Sequence, residues 1–162
     1  MSAKMTTRAI AVIVLAALAG AVEAATSCTL ATSNVAFGSY DVFVAASLDT
    51  SGTIMVTCTR VGGPANTSIT IAIGPGTHGG STATRKMKMN GGSDLLAYNF
   101  YTDVGRTAVW GNVPGLDAFA QTLFVPNHSS AQLTSTIYAR IPAGQDVAKG
   151  IYADSVVITV TP

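Results

Sequence analysis

Much of the chain alternates between apolar and polar residues with a period of two, the pattern of half-buried β-strands. Residues 53–59 place their Ile, Val and Cys side chains on one face and their threonines mostly on the other. Residues 67–73 repeat the pattern with three isoleucines in phase. A turn signal, Gly62-Gly63-Pro64, lies between these two runs. The sequence therefore predicts two strands joined by a turn.

Four later segments are rich in β-branched or aromatic residues and are separated by Gly, Pro, Asn and Asp. They are residues 95–101, 118–125, 133–141 and 151–160. No helical stripe occurs among them. Several short strands at this spacing predict an all-β protein with an antiparallel β-sandwich.

A glycine-rich connection, residues 75–94, carries the basic run Arg85-Lys86-Met87-Lys88-Met89. Its alternation of charges predicts an exposed strand or loop rather than a core element. We interpret it as a solvated edge, with a contact surface for glycans or acidic polymers as the alternative.

The N-terminal segment has the layout of a secretory signal peptide, residues 1–24. Lys4 and Arg8 precede an apolar run, and small residues follow it. Cleavage is expected after Ala21 or Ala24, and Ala24 is favoured. The remaining residues, 25–162, have the length of one domain. A membrane anchor is the alternative, but the run is too short to span a bilayer, so stable membrane insertion is not expected.

Composition narrows the class of protein further. The 162 residues are 48% hydrophobic and 10% charged, which argues against a disordered chain and a coiled coil. The formal net charge of +1 offers no field that would gather nucleic acid.

Cys28 and Cys58 are the two cysteines of the chain. In an exported protein they predict a structural disulfide. A metal pair or a redox motif would need cysteines at closer spacing.

The sequence offers no catalytic signature. His78 and His128 have no partners at metal-ligand spacing, Glu23 is the single glutamate, and no Gly-x-Ser-x-Gly motif occurs. We therefore expect no enzyme activity, no cofactor and no metal.

Several pieces of the chain together carry a family resemblance. They are Cys28, residues 35–40 (Val-Ala-Phe-Gly-Ser-Tyr), residues 52–59, residues 96–101, Trp110-Gly111 and residues 150–160. In this order, and with these cysteine positions, residues 25–162 resemble the spore coat protein U domain family. That family includes subunits of archaic, Csu-type chaperone-usher pili.

The resemblance implies an immunoglobulin-like sandwich that lacks its final strand and has a groove beside its C-terminal strand. A periplasmic chaperone would donate a strand to this groove, and a neighbouring pilus subunit would replace it during assembly at an outer-membrane usher. The protein would then be secreted through the periplasm to a pilus on the cell surface.

The last apolar run agrees with an acceptor groove. Val156, Ile158 and Val160 share one face, and an apolar edge of this kind aggregates unless it is paired. We expect these three residues to line the groove, together with Phe37 by analogy with the family.

One departure concerns the segment before Cys28. Polymerising subunits of the family carry an alternating apolar extension there, whereas only Ala25, Thr26 and Ser27 would remain after cleavage. Three residues span about 10 Å, too little for a donated strand. We expect a tip or terminal subunit that acts in surface attachment and biofilm formation. A minor subunit or a non-polymerising spore-coat protein is the alternative.

Two other function classes are open at this point. A self-contained carbohydrate-binding β-sandwich would use aromatics such as Trp110 and Tyr101 as stacking platforms. A secreted hydrolase has the least support.

Overall fold

A computed structural model describes residues 25–162, so the predicted signal peptide and its cleavage sites lie outside the described residues. All regular structure in the described chain is β. Its strands are β1 (Thr26–Thr32), β2 (Leu48–Arg60), β3 (Ala65–Ile73), β4 (Lys86–Met89), β5 (Leu95–Ala97), β6 (Asn99–Tyr101), β7 (Phe119–Val125), β8 (Ser130–Ile141), β9 (Tyr152–Ala153) and β10 (Ile158–Thr161).

The strands form three antiparallel sheets. Their orders are β1-β2-β8-β6, β10-β3-β7 and β5-β4-β9. The long strands β2 and β8 pair in register from Leu48↔Ile141 to Thr59↔Ser130 and form the centre of the first sheet.

One apolar core lies between the sheets. Ile54, Val56 and Cys58 of β2 are fully buried, as are the three isoleucines of β3. Burying such a side chain stabilises the folded state by about 1.5–3 kcal/mol. The apolar residues of the period-two pattern therefore supply much of the driving force for folding. The predicted all-β antiparallel sandwich is confirmed.

Two segments predicted as single strands are each divided. Residues 95–101 form β5 and β6, which belong to different sheets and are separated by the buried Tyr98. Residues 151–160 form β9 and β10, with residues 154–157 between them outside any strand. A strand that the sequence analysis did not single out, β1, pairs with β2 along its whole length.

The disulfide joins the first two strands. Cys28 and Cys58 are register partners in β1 and β2, and their sulfur atoms are bonded. The predicted structural bridge is confirmed.

The basic run at residues 85–89 is not an exposed strand or loop at a sheet edge, and that prediction is wrong. Its strand, β4, is the central strand of the third sheet, and Arg85 is fully buried. The cation is tolerated because its guanidinium donates to Ile73 O, Gly74 O, Trp110 O and Asn99 Oδ1 at 2.6–2.8 Å. Buried charges persist when their hydrogen-bonding capacity is met in this way.

Trp110 is also buried, which rules out its use as a stacking platform. None of its surface is exposed, and Nε1 donates to Ile71 O at 2.8 Å. Its ring packs against Phe119 with centroids 5.3 Å apart.

Candidate functional site

A cleft runs between two stretches of chain whose residues lie mostly outside the strands. One bank is residues 32–43, which follow from the end of β1, and the other is residues 147–158. The cleft contains a wide chamber of about 790 Å³ and a narrow chamber of about 350 Å³. Val35 lines both chambers, so they adjoin.

The wide chamber is mainly apolar. Its inner lining consists of core and core-contacting side chains: Phe37, Met87, Leu96, Ile141, Val147 and Tyr152. Met87 comes from β4, the central strand of its sheet, and Ile141 is the last residue of β8. The chamber therefore offers a surface that is complementary to large apolar side chains.

The narrow chamber is more polar. Ser33, Asn34, Asp154 and Ser155 line it alongside apolar side chains that include Val156 and Ile158. The two ends of the cleft therefore differ in chemistry, and an occupant must present both apolar and hydrogen-bonding groups.

Part of the backbone on each bank has no strand partner within the described chain. β10 is at the edge of its sheet and pairs with β3 on one side. On the opposite bank, the ladder ends where Ser33 N donates to Thr53 O at 2.9 Å, and residues 34–43 belong to no strand. An extended segment placed between the banks would find hydrogen-bonding edges on both sides.

Asp154 explains why the second bank is not one continuous strand. Its carboxylate accepts hydrogen bonds from Tyr98 Oη at 2.7 Å and from Thr77 N at 2.9 Å. Thr77 Oγ1 also donates to Ser155 O at 3.1 Å. These bonds pull residues 154–155 towards the floor of the cleft. Burial and the neighbouring Asp154 carboxylate raise the pKa of Tyr98 far above its ordinary value, which keeps the phenol protonated.

Aromatic contacts connect Tyr98, which lines the narrow chamber, to the apolar core. Tyr98 meets Phe37 and Phe100 edge-on, with centroids 6.0 Å and 5.2 Å apart. The guanidinium carbon of Arg85 lies 5.2 Å from the Phe100 ring centroid. Burial lowers the pKa of Arg85 to about 10, so the group stays charged at neutral pH.

The predicted groove residues divide between the two chambers. Phe37 lines the wide chamber, while Val156 and Ile158 line the narrow one. Val160 lies in β10 and packs partly buried against the core, but it lines neither chamber. The role of these four residues as a strand acceptor stays a prediction.

The sequence analysis missed Tyr98 and Asp154. A signal for Asp154 existed, because aspartate is disfavoured inside strands and here interrupts an apolar run. Tyr98 gave no such signal, since aromatic residues are common in strands.

The described residues contain no cluster of three or more His, Cys, Asp or Glu side chains that could hold a metal ion. Among the same residues, no helix is long and apolar enough to cross a membrane.

Comparison with known proteins identifies the family. Residues 14–159 match the Spore Coat Protein U domain. The chain belongs to the spore coat protein U domain family. Protein U of Myxococcus xanthus is 33% identical to it over 135 residues, which cover 77% of this chain and 69% of that protein. The resemblance drawn from the sequence is confirmed.

The family fold is also found in a solved structure. A chain in the crystal structure of the CsuC-CsuE chaperone-tip adhesion subunit pre-assembly complex, from archaic chaperone-usher Csu pili of Acinetobacter baumannii, matches with a TM-score of 0.55 and 18% identity. The match covers 84% of this chain and 39% of that chain, so this spore coat protein U domain spans about two fifths of the neighbour's length. The similarity shows a shared immunoglobulin-like fold.

Proposed function

We propose that the protein is a secreted structural and adhesive subunit of a chaperone-usher pilus. Its sandwich is completed by a strand that a partner protein inserts into the cleft. The observation that carries this proposal is the cleft itself, which has an apolar lining in its wide chamber and backbone without a strand partner on both banks. The role is structural rather than catalytic.

The physical argument is that an open apolar edge is unfavourable in water and promotes aggregation. A donated strand covers the edge with backbone hydrogen bonds, while alternate side chains enter the chambers. The partners are a periplasmic chaperone first, an outer-membrane usher next, and finally a neighbouring subunit that donates its own strand. The similarity in fold to a chain of a chaperone-tip adhesion subunit pre-assembly complex supports the chaperone step.

Phe37 contacts an apolar donor side chain in the wide chamber, and Val156 and Ile158 contact a second one in the narrow chamber. Val160 supports the edge at the end of β10. Because an extended chain rises about 3.3 Å per residue, donor residues four apart are about 13 Å apart. Ser33 and Phe37, one on each chamber, are likewise four residues apart in sequence along the first bank.

The tip or terminal position rests on the expected signal cleavage after Ala24, which would leave Ala25, Thr26 and Ser27 ahead of Cys28. Thr26 pairs with Arg60 and Cys28 is bonded to Cys58, so β1 is committed to its own domain. Residues 26–32 are therefore not free to enter another subunit. A subunit that accepts a strand at the end of a fibre is suited to surface attachment and biofilm formation. Sequencing the N-terminus of the exported protein tests the start of the mature chain, expected at Val22 or Ala25.

The central experiment is periplasmic expression with and without the chaperone encoded beside the gene, followed by pull-down. A one-to-one complex, and loss of soluble protein without the chaperone, is expected. Abundant monomer with a cooperative thermal transition and no bound chaperone would contradict the proposal. That result would favour a self-contained binding module.

A second experiment supplies the missing strand within one chain. A flexible linker and the donor strand of a neighbouring subunit are fused after Pro162, giving a self-complemented protein that should be soluble without chaperone. The matched control carries the same strand with its alternate apolar residues changed to serine. Equal stability of the two fusions would show that the cleft does not take the strand.

A further inference from the structure

Strand β7 (Phe119–Val125) lies at one end of its sheet, and its outer edge is open. β7 pairs with β3 on one side, and within the described chain no further hydrogen bond reaches the backbone of residues 119–125. Ala120, Gln121, Thr122 and Phe124 are exposed, and Phe124 is 56% exposed. β7 therefore presents unpaired backbone groups and apolar surface along the same edge.

Other sheet edges in the described chain are covered or polar. The side chain of Gln145 accepts from Ala97 N at 2.7 Å and donates to Ala97 O at 2.9 Å, which caps β5. Residues 108–110 run along β6, where Trp110 N donates to Phe100 O at 2.9 Å. The edge of β1 is open, but four of its seven residues are Ser or Thr. β7 is thus the apolar edge, outside the proposed cleft, that has no cover.

Neither charge nor distortion protects this edge. Edge strands that avoid association usually carry charged side chains, prolines or β-bulges. The sequence has no Asp, Glu, Lys or Arg between Asp117 and Arg140, and no proline lies within β7. Its ladder with β3 pairs seven consecutive residues without a bulge. The edge is therefore suited to receive another strand.

The sequence of β7 complements itself in an antiparallel register. Backbone groups that point outward must face each other across such a pair, so a two-fold axis must pass through a residue rather than between two residues. An axis at Thr122 is the one that pairs all seven residues of the strand. The resulting pairs are Phe119 with Val125, Ala120 with Phe124, Gln121 with Leu123, and Thr122 with itself.

Side chains match across this axis. Ala120, Thr122 and Phe124 lie on the solvent side of the sheet, together with the polar β3 residues beside them. On that side, each large Phe124 ring would lie beside the small Ala120 of the other copy, with a favourable Thr–Thr pair between them. At each end, Asp117 of one copy would meet Asn127 of the other. No like charges face each other in this register.

From this self-complementarity we infer that β7 is a homodimer interface, in which the β7 edges of two copies of this chain pair about Thr122. The two three-stranded sheets would then form one sheet of six strands. A two-fold interface uses the same patch on both copies, so its strand must match itself, whereas a different protein would not require this match. The cleft takes no part, so the inference goes beyond the proposed function.

The first test measures the mass of the particle. The protein is purified with its chaperone, or alone where it is soluble without one, and sedimentation velocity is recorded across the micromolar range. Wild type should pair reversibly into a dimer of that unit. Thr122→Lys sets two cations directly opposite each other and should weaken the dimer about fivefold.

Thr29→Lys is the matched control for this change. Thr29 is an exposed threonine at the centre of β1, the other open edge. Its substitution should change the dimer affinity by less than about twofold, as for other surface changes. A monomeric wild type, an unaffected Thr122→Lys dimer, or an equal loss in the control would overturn the inference.

A cross-link tests the register. Opposed residues of an antiparallel pair have Cα atoms about 4.5–5.5 Å apart, within the disulfide range of about 4.4–6.8 Å. Thr122→Cys should therefore bond to its own copy under mild oxidation, because Cys28 and Cys58 are already joined to each other. Ala120→Cys is the control, since two copies of residue 120 would lie four residues apart along the ladder, about 13 Å.

The cross-link also identifies the occupant of the edge. Absence of a Thr122→Cys dimer, equal cross-linking of Ala120→Cys, or bonding of Thr122→Cys to the chaperone would overturn the inference. A cross-linked dimer that forms although no chaperone binds would support the inference and overturn the proposed function alone.

Discussion

Arg85 is a fully buried cation, and four acceptors from separate parts of the chain surround its guanidinium. Arg85→Met should destabilise the self-complemented protein by about 3–5 kcal/mol, because removal of the donor leaves buried acceptors unpaired. Urea unfolding measures the loss. Lys86→Met at the next, only half-buried position is the control and should change stability by less than about 1 kcal/mol. Similar losses in the two variants would contradict a structural role for the guanidinium.

The Tyr98–Asp154 hydrogen bond predicts a sensitivity to high pH. The pKa of Tyr98 is raised in the folded protein, so its contribution to stability is complete below about pH 10 and declines as pH rises further. Tyr98→Phe should cost about 1–2 kcal/mol at pH 7 and should weaken this alkaline decline. Urea midpoints from pH 7 to 11 provide the measurement.

The control for this change is Tyr138→Phe, which keeps the ring that Arg106 contacts and does not touch Asp154. It should leave both the neutral stability and the alkaline slope close to wild type. An alkaline slope in Tyr98→Phe that equals that of wild type would rule out the proposed linkage.

Residue burial was predictable where the local pattern decided it, and unpredictable where distant partners did. The β2 and β3 core positions follow from period two alone. Arg85 does not, because its acceptors lie at residues 73–74, 99 and 110, far from it in sequence. A local run of basic residues therefore indicates an exposed edge even where tertiary hydrogen bonds bury one member.

The elements show the same division. The turn residues predicted where each strand segment lies along the chain. They did not predict which sheet each strand joins. Residues 95–101 change sheet at Tyr98, and the last apolar run breaks at Asp154. At both breaks the chain makes hydrogen bonds to residues distant in sequence, Tyr98 to Asp154 and Thr77 to Asp154 and Ser155, which period-two patterning does not encode. The apolar face of the last run predicts Val156, Ile158 and Val160 as groove residues, and the family resemblance adds Phe37; their role as a strand acceptor stays a prediction.

The disulfide yields a prediction for β1. It closes a loop between residues 28 and 58, so its removal should cost about 3–4 kcal/mol in the chain-entropy model. We expect the paired change Cys28→Ala with Cys58→Ala to lower the urea midpoint of the self-complemented protein and to open residues 26–32 to proteolysis. Val61→Ala, an exposed change just after β2, serves as the control. Protection of β1 equal to that of wild type would contradict this prediction.

At the scale of the whole molecule, the cleft proposed to accept a strand contrasts with a first strand that is fixed by pairing and by the disulfide. Under the proposed function the domain receives a strand, whereas residues 26–32 stay paired in their own sheet and, with signal cleavage after Ala24, no donor strand is left to supply. A fibre built by strand exchange should therefore stop where this subunit is placed.

The prediction is that the mature protein caps polymerisation. When its chaperone complex is mixed with that of a neighbouring subunit that carries a donor extension, average polymer length should fall as its share rises, measured by gel ladders and electron microscopy. Grafting the neighbour's donor extension ahead of Thr26 should restore elongation, because it supplies the missing donor while β1 stays in place. A graft with its apolar residues changed to serine is the matched control. Long homopolymers of the ungrafted protein would contradict a terminal position.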